Sequence, residues 1–222
     1  MNKKIIVVTP HPDDETLGCG GTLLKYKKQN QQLYWLIVTR MGNTFSDERK
    51  QQRQKEICDV ASCYQFDEVF QLEFPTSELD RIPMGDLVKN ISNVFTKVQP
   101  HIVFVPYPGD IHSDHKAVFD ATMACSKWFR YPSVEKVLVY ETLSETDFSI
   151  DPDTNGFKPN IYVNISGLLE KKVEIMSIFT SEINDFPFPR SEKAIRSLAY
   201  LRGAASGFEE AEAFMLLKER ME

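Results

Sequence analysis

The chain has 222 residues, 42% hydrophobic and 26% charged, with a formal net charge of -6. That is enough apolar material for a core, and it excludes compositional disorder. An acidic chain with no concentrated Lys/Arg face argues against a nucleic-acid surface, because neutralising phosphates takes clustered cations. Lys25-Tyr26-Lys27-Lys28 and Lys171-Lys172 read as solvated helix faces.

Met1-Asn2-Lys3-Lys4 leads into only four apolar residues, Ile5 to Val8, before Thr9 and Pro10. That stretch is too short for a signal-peptide core and reads as a first strand. No apolar run approaches the roughly 20 residues of a membrane span. The expectation is a cytoplasmic protein. Further short runs at 33–39, 68–72, 102–106 and 136–141 are rich in Val, Ile, Leu, Phe or Tyr and bounded by turn residues, as strands buried on both faces should be. Between them, 16–30, 46–64, 84–98 and 113–130 carry apolar residues at helical spacing. Strand and helix alternating in this way predict an α/β domain, with a mostly parallel sheet covered on both faces.

After residue 141 the pattern changes. Asp151-Pro152-Asp153-Thr154-Asn155-Gly156 has strong turn chemistry. A late strand is expected at 161–165 and helices at 168–183 and 191–205, with Phe186-Pro187-Phe188-Pro189 breaking the chain between them. No linker or repeat divides the sequence, so residues 1–222 read as one domain. The four cysteines (Cys19, Cys58, Cys63, Cys125) contain no C-x-x-C pair and read as buried small hydrophobes. Leu17-Gly18-Cys19-Gly20-Gly21-Thr22 fails as a dinucleotide fingerprint, because Leu23 stands where the last glycine is needed. Those glycines instead allow a helix close to the sheet.

In an open parallel sheet, ligands bind beyond the carboxyl ends of the strands. Two segments lie at such ends: Thr9-Pro10-His11-Pro12-Asp13-Asp14-Glu15-Thr16, and Pro106-Tyr107-Pro108-Gly109-Asp110-Ile111-His112-Ser113-Asp114-His115. Three of the four histidines fall in them, each flanked by aspartates. Imidazole plus carboxylate without thiolate suits zinc or another borderline divalent ion, and a catalytic zinc takes three protein ligands and one open position. Pro10 and Pro12 stiffen the first loop. Asp13 and Asp14 point differently, so one can ligate while the other takes a proton from the water that zinc activates. Ser113 is a candidate N-cap for a helix over 114–130, and His112 and His115 can approach one small volume at its start. Asp114 can accept a bond from an imidazole N–H and fix its tautomer. Asp110 reads as a turn or cap residue. Glu15 reads as favouring the first helical turn through the dipole, or as lining the site. His101 reads as structural.

Taken together, Pro10-His11-Pro12-Asp13-Asp14-Glu15 and His112-Ser113-Asp114-His115 resemble the A-H-P-D-D-E and H-x-D-H signatures of the LmbE-like (PIG-L) family of zinc-dependent N-deacetylases. Phe157-Lys158-Pro159-Asn160, Arg202-Gly203 and the stretch from Gly207 to Phe214 are similar to later parts of that family. The resemblance implies a single Rossmann-like domain, a mostly parallel sheet with helices on both faces and an α-rich C-terminal region. It implies one zinc per chain on His11, Asp14 and His115, with Asp13 as general base. His112 would stabilise the oxyanion or protonate the departing amine, Asp114 would orient His112, and Arg53 would contact substrate, with Arg49 as its rival. The implied reaction removes the acetyl group from an N-acetylglucosamine unit of a small conjugate, by an enzyme that can form a homo-oligomer. The alternatives are another metallohydrolase, such as a two-metal phosphoesterase, or a sugar-binding relative without chemistry. Selectivity would come from the loops at 43–47, 76–83 and 148–158.

Overall fold

The computed structural model describes residues 2–42, 44–149 and 156–221. The expected turn at 151–156 therefore lies outside the described residues except for Gly156, as do parts of the loops at 43–47 and 148–158. In chain order the elements are β1 (Lys4–Thr9), α1 (Asp14–Lys28), β2 (Gln32–Arg40), α2 (Asp47–Tyr64), β3 (Glu68–Pro75), a 3-10 turn (Leu79–Arg81), α3 (Met84–Val98), β4 (Ile102–Pro106), α4 (Ser113–Ala124), β5 (Lys136–Tyr140), β6 (Ile161–Asn164), α5 (Leu169–Met176), α6 (Glu192–Ser206) and β7 (Ala211–Glu219). The seven strands form one sheet in the order β3-β2-β1-β4-β5-β7-β6. β1 to β5 pair in parallel, while β7 runs antiparallel between β5 and β6.

Alternate residues of β1 serve the two faces, as the period of two in a strand requires. Ile5 and Val7 pack with Leu17 and Leu23 of α1, Tyr64 of α2, Val173 of α5 and Ile195 of α6. Ile6 and Val8 pack with Leu87 and Ile91 of α3 and Val118 of α4. Amphipathic spacing explains α3, whose Leu87, Ile91, Val94, Phe95 and Val98 are all buried. Gln99 in the left-handed conformation, followed by Pro100, ends it.

Four expectations are corrected. β7 was not anticipated; it adds an antiparallel strand to the sheet within the C-terminal region that was read as α-rich. Helix α4 stops at Ala124, because Cys125 and Ser126 bond back to Thr122 and Met123. Its N-cap is His112 rather than Ser113. Lys172 is not solvated: it is 4% exposed and paired with buried Glu212 at 2.7 Å. Glu212 also accepts from the N–H groups of Gly21 and Thr22, at 2.8 and 2.7 Å, and Lys172 donates to Leu17 O. This network stabilises a break in α1 at Cys19. The glycines there are needed for packing, since a Cβ on Gly18 would lie 2.3 Å from the Tyr140 ring. Cys19 and Cys125 are buried as expected, Cys58 is exposed, and all four are free thiols.

Candidate active site

Strand order reverses between β1 and β4, and both histidine-bearing segments leave the sheet there, at the carboxyl ends of those strands. The first loop is anchored at Pro10, whose carbonyl accepts from Thr39 N and Oγ1 at 3.1 and 2.8 Å. Asp13 follows with φ 130 and ψ -30, a backbone that costs an L-residue about 1–3 kcal/mol. Its carbonyl accepts from Thr16 and Leu17 and so starts α1.

Side chains 103 residues apart in sequence meet above this edge. His11 Nε2 lies 3.1 Å from Asp114 Oδ2, leaving Nδ1 turned to Asp14 Oδ2 at 3.5 Å. His115 Nδ1 lies 2.7 Å from Asp110 Oδ2, leaving Nε2 3.6 Å from the same Asp14 oxygen. That Nε2 is buried without a hydrogen-bond partner. One carboxylate oxygen and two imidazole nitrogens thus converge within 4.8 Å of one another. An orphaned imidazole nitrogen beside a carboxylate fits a divalent cation of the zinc type. His11, Asp14 and His115 are brought together as expected.

The electrostatics follow from burial opposed by charge. Burial acts to lower the His11 pKa, but the Asp114 and Asp14 carboxylates overcome it and raise it to about 10. Burial acts to raise Asp14, and the facing His115 and His11 instead bring it down to about 2. Asp13 is raised by burial and by the adjacent Asp14 charge. His112 is lowered to about 4, by burial and then by the charge on His11. Its Nδ1 accepts from the backbone N–H of Asp114 at 3.1 Å, so the neutral ring carries its proton on Nε2.

The expected partner of Asp114 is corrected here. Its Oδ2 bonds His11 and lies 4.0 Å from His112 Nδ1, while Ser77 N and Leu79 N donate to its two oxygens. His112 is instead oriented by the Asp114 backbone, because it caps the helix. Asp110, read from sequence as a turn residue, holds His115 and accepts from Thr146 Oγ1 at 2.6 Å. Glu15 does not line the site but is fully buried, accepting from Asp13 N at 3.0 Å. His101 is structural, its Nδ1 accepting from Lys4 N.

A cavity of about 610 Å³ opens beside the triad, lined by His11, Asp13, Asp14 and His112 and walled by Arg49, Arg53, Arg190, Glu182, Gln71 and Phe45. Arg53 lines it, yet is only 7% exposed: Nη1 donates to Pro12 O at 2.8 Å, Nη2 bonds Glu182, and Nε lies 3.0 Å from Glu56. Arg49 is the more accessible of the two. Ser181, Glu182 and Arg190, which sequence reasoning missed, arrive on the segment between α5 and α6. The segment is free to reach the site because α5 ends at Met176, short of the helix to residue 183 expected from sequence. Among the described residues, no helix is long and apolar enough to cross a membrane.

A family model described as PIG-L, GlcNAc-PI de-N-acetylase, matches residues 6–126. A diacetylchitobiose deacetylase of Thermococcus kodakarensis is 26% identical over 95% of this chain and 81% of its own length. The crystal structure of the conserved protein TT1542 from Thermus thermophilus is 24% identical with a TM-score of 0.80, covering 99% of this chain and 97% of that one. N,N'-diacetylchitobiose deacetylase from Pyrococcus horikoshii, complexed with an inhibitor, is 23% identical with a TM-score of 0.80, covering 97% of this chain and 84% of that one.

Proposed function

The chain belongs to the PIG-L family of de-N-acetylases and is an amide-hydrolysing enzyme, and we propose that it removes the acetyl group from an N-acetylglucosamine unit of a small conjugate, using one zinc ion per chain. The observation that carries this reading is the convergence of His11 Nδ1 and the orphaned His115 Nε2 on one oxygen of Asp14. Zinc held by these three residues supplies Lewis acidity toward the amide carbonyl and toward an attacking water.

The remaining roles belong to the chain's own groups. Asp13, with a raised pKa and a place on the cavity wall, is the general base that takes the water proton. His112 faces the same cavity as a neutral ring and donates its Nε2–H to the carbonyl oxygen as negative charge develops there. Asp110 and Asp114 fix the tautomers of His115 and His11. Arg49 and Arg53, with Gln71, Phe45 and Arg190, form the wall that takes the sugar and its aglycone, where a donor-rich lining beside an aromatic ring suits a hydroxylated ring. Four free thiols support a reducing compartment, hence the cytoplasm. Homo-oligomer formation is carried over from the family resemblance, and sedimentation decides it.

The test combines metal content with amine release from a panel of N-acetylglucosaminides. The expected result is one zinc per chain and a hydrolysis that stops when the metal is chelated and returns when it is restored. Hydrolysis of none of the panel by the zinc-loaded protein contradicts the proposal.

A further inference from the structure

Asp13 and Asp14 are neighbours with divergent tasks: one carboxylate lines the cavity while the other meets two imidazoles. What separates them is the φ of 130 at Asp13, a conformation that must be imposed from outside. Two bonds bracket the peptide that enters this residue. On its carbonyl side Arg53 Nη1 donates to Pro12 O at 2.8 Å; on its amide side Asp13 N donates to Glu15 Oε2 at 3.0 Å. Both atoms belong to one planar unit, so the two bonds together fix its rotation, and with it φ of Asp13.

Each arm is itself held. Glu15 Oε1 accepts from Thr16 Oγ1 at 2.6 Å, and Thr16 in turn accepts from Tyr64 Oη at 3.1 Å. Arg53 is braced by Glu56 and Glu182. Glu15 is fully buried and Arg53 nearly so, so neither bond competes freely with water.

We propose that Glu15 and Arg53 clamp the Pro12–Asp13 peptide and are positioning residues that aim the Asp13 carboxylate into the cavity. The proposal rests on the reading of Asp13 as general base. It gives Arg53 a task on the backbone, where a purely substrate-binding arginine would keep its N–H groups for the ligand.

The test uses Glu15→Ala, Glu15→Gln, Arg53→Ala and the Glu15→Ala/Arg53→Ala double variant of the zinc-loaded protein. Glutamine retains an acceptor oxygen for Asp13 N–H, and alanine does not. Misplacing a reacting group by about 1 Å costs up to about 100-fold in rate, so each alanine variant should lose about 10–100-fold in kcat with zinc content intact, and Glu15→Ala should do so with KM nearly unchanged. Glu15→Gln should recover most of the loss. Because both arms hold one peptide, the double variant should fall little below the worse single one. Additive losses, a glutamine variant as poor as alanine, or an Arg53→Ala effect confined to KM would overturn the clamp.

Amide hydrogen exchange at Asp13 gives a readout independent of turnover. It should be slow in the parent and in Glu15→Gln, and accelerated in both alanine variants while β1 stays protected. Unchanged exchange overturns the clamp even where hydrolysis is seen, and a parent that cleaves no N-acetyl sugar overturns the functional reading while leaving the exchange test standing. If an alanine variant does not fold, Glu15→Asp, which keeps the charge but shortens the reach, carries the same expectation.

Discussion

Asp110 makes no contact with the Asp14 oxygen on which the triad converges, yet it controls the imidazole that is 0% exposed and unpartnered at Nε2. Its carboxylate takes His115 Nδ1–H at 2.7 Å, which turns the Nε2 lone pair toward Asp14. Asp110→Asn leaves an amide oxygen able to accept the same proton, so the tautomer is kept and only the charge is lost. A hydrogen bond to a charged group is worth about 1.5–3 kcal/mol and a neutral one about 0.5–1.5 kcal/mol. The difference between their midpoints, about 1.25 kcal/mol, is roughly eightfold in zinc affinity. Asp110→Ala removes the whole bond and frees the ring to change tautomer, which raises the expected loss to about 100-fold, the upper range for residues that support a metal ligand. Competition with a chromophoric chelator at fixed pH measures both. Equal zinc affinity in the parent and in Asp110→Ala would refute the reasoning, and a loss in Asn as large as in Ala would show that charge alone matters.

Further expectations concern the base, the pH dependence and the packing. Asp13→Asn should retain one zinc while kcat falls by about 100- to 10,000-fold, the range for loss of a general base; undiminished turnover assigns the proton transfer elsewhere. In the metal-free protein burial opposes charge on His11 and His115, but the facing carboxylates raise both pKa values, His11 to about 10. Zinc requires neutral imidazoles, so binding expels protons and the apparent affinity should fall by about tenfold per unit as pH drops below about 10, and more steeply once His115 is protonated as well. A pH-independent affinity contradicts the site. Gly18→Ala puts a methyl carbon 2.3 Å from the Tyr140 ring, whose hydroxyl is tied to Val8 O at 3.0 Å; urea unfolding should register a loss of about 1–3 kcal/mol. Lys172→Met leaves Glu212 as a buried charge without its cation and should cost about 3–5 kcal/mol in the same assay.

The parts of the fold that the sequence makes legible are those in which local pattern and tertiary place agree. Strand β4 and helix α3 fall where apolar runs and helical spacing put them. The two segments that form the candidate metal site are legible because histidine is rare in the chain and clusters at strand ends. β7 is the counter-case. Ala, Glu, Met, Leu and Lys are favourable helix formers, and only pairing with β5 and β6 makes Ala211–Glu219 extended. The same distinction runs through the site. That His11, Asp14 and His115 can share a cation follows from residue type, whereas which imidazole Asp114 orients, and that Asp110 orients one at all, depends on which ring each carboxylate reaches. Lys172 reads as solvated until the distant Glu212 is brought against it. Glu182 carries no motif, and the path of the chain after α5 brings it, with Arg190, to the cavity wall.

The central claim is that loops from β1 and β4 grip one cation through two imidazoles and one carboxylate. X-ray absorption on protein stripped of metal and titrated with zinc tests it most directly. Saturation at one equivalent, with two nitrogen scatterers of imidazole type at about 2.0–2.1 Å and no sulfur, is the predicted outcome. A spectrum unchanged by His115→Ala, or a thiolate in the coordination shell, contradicts it.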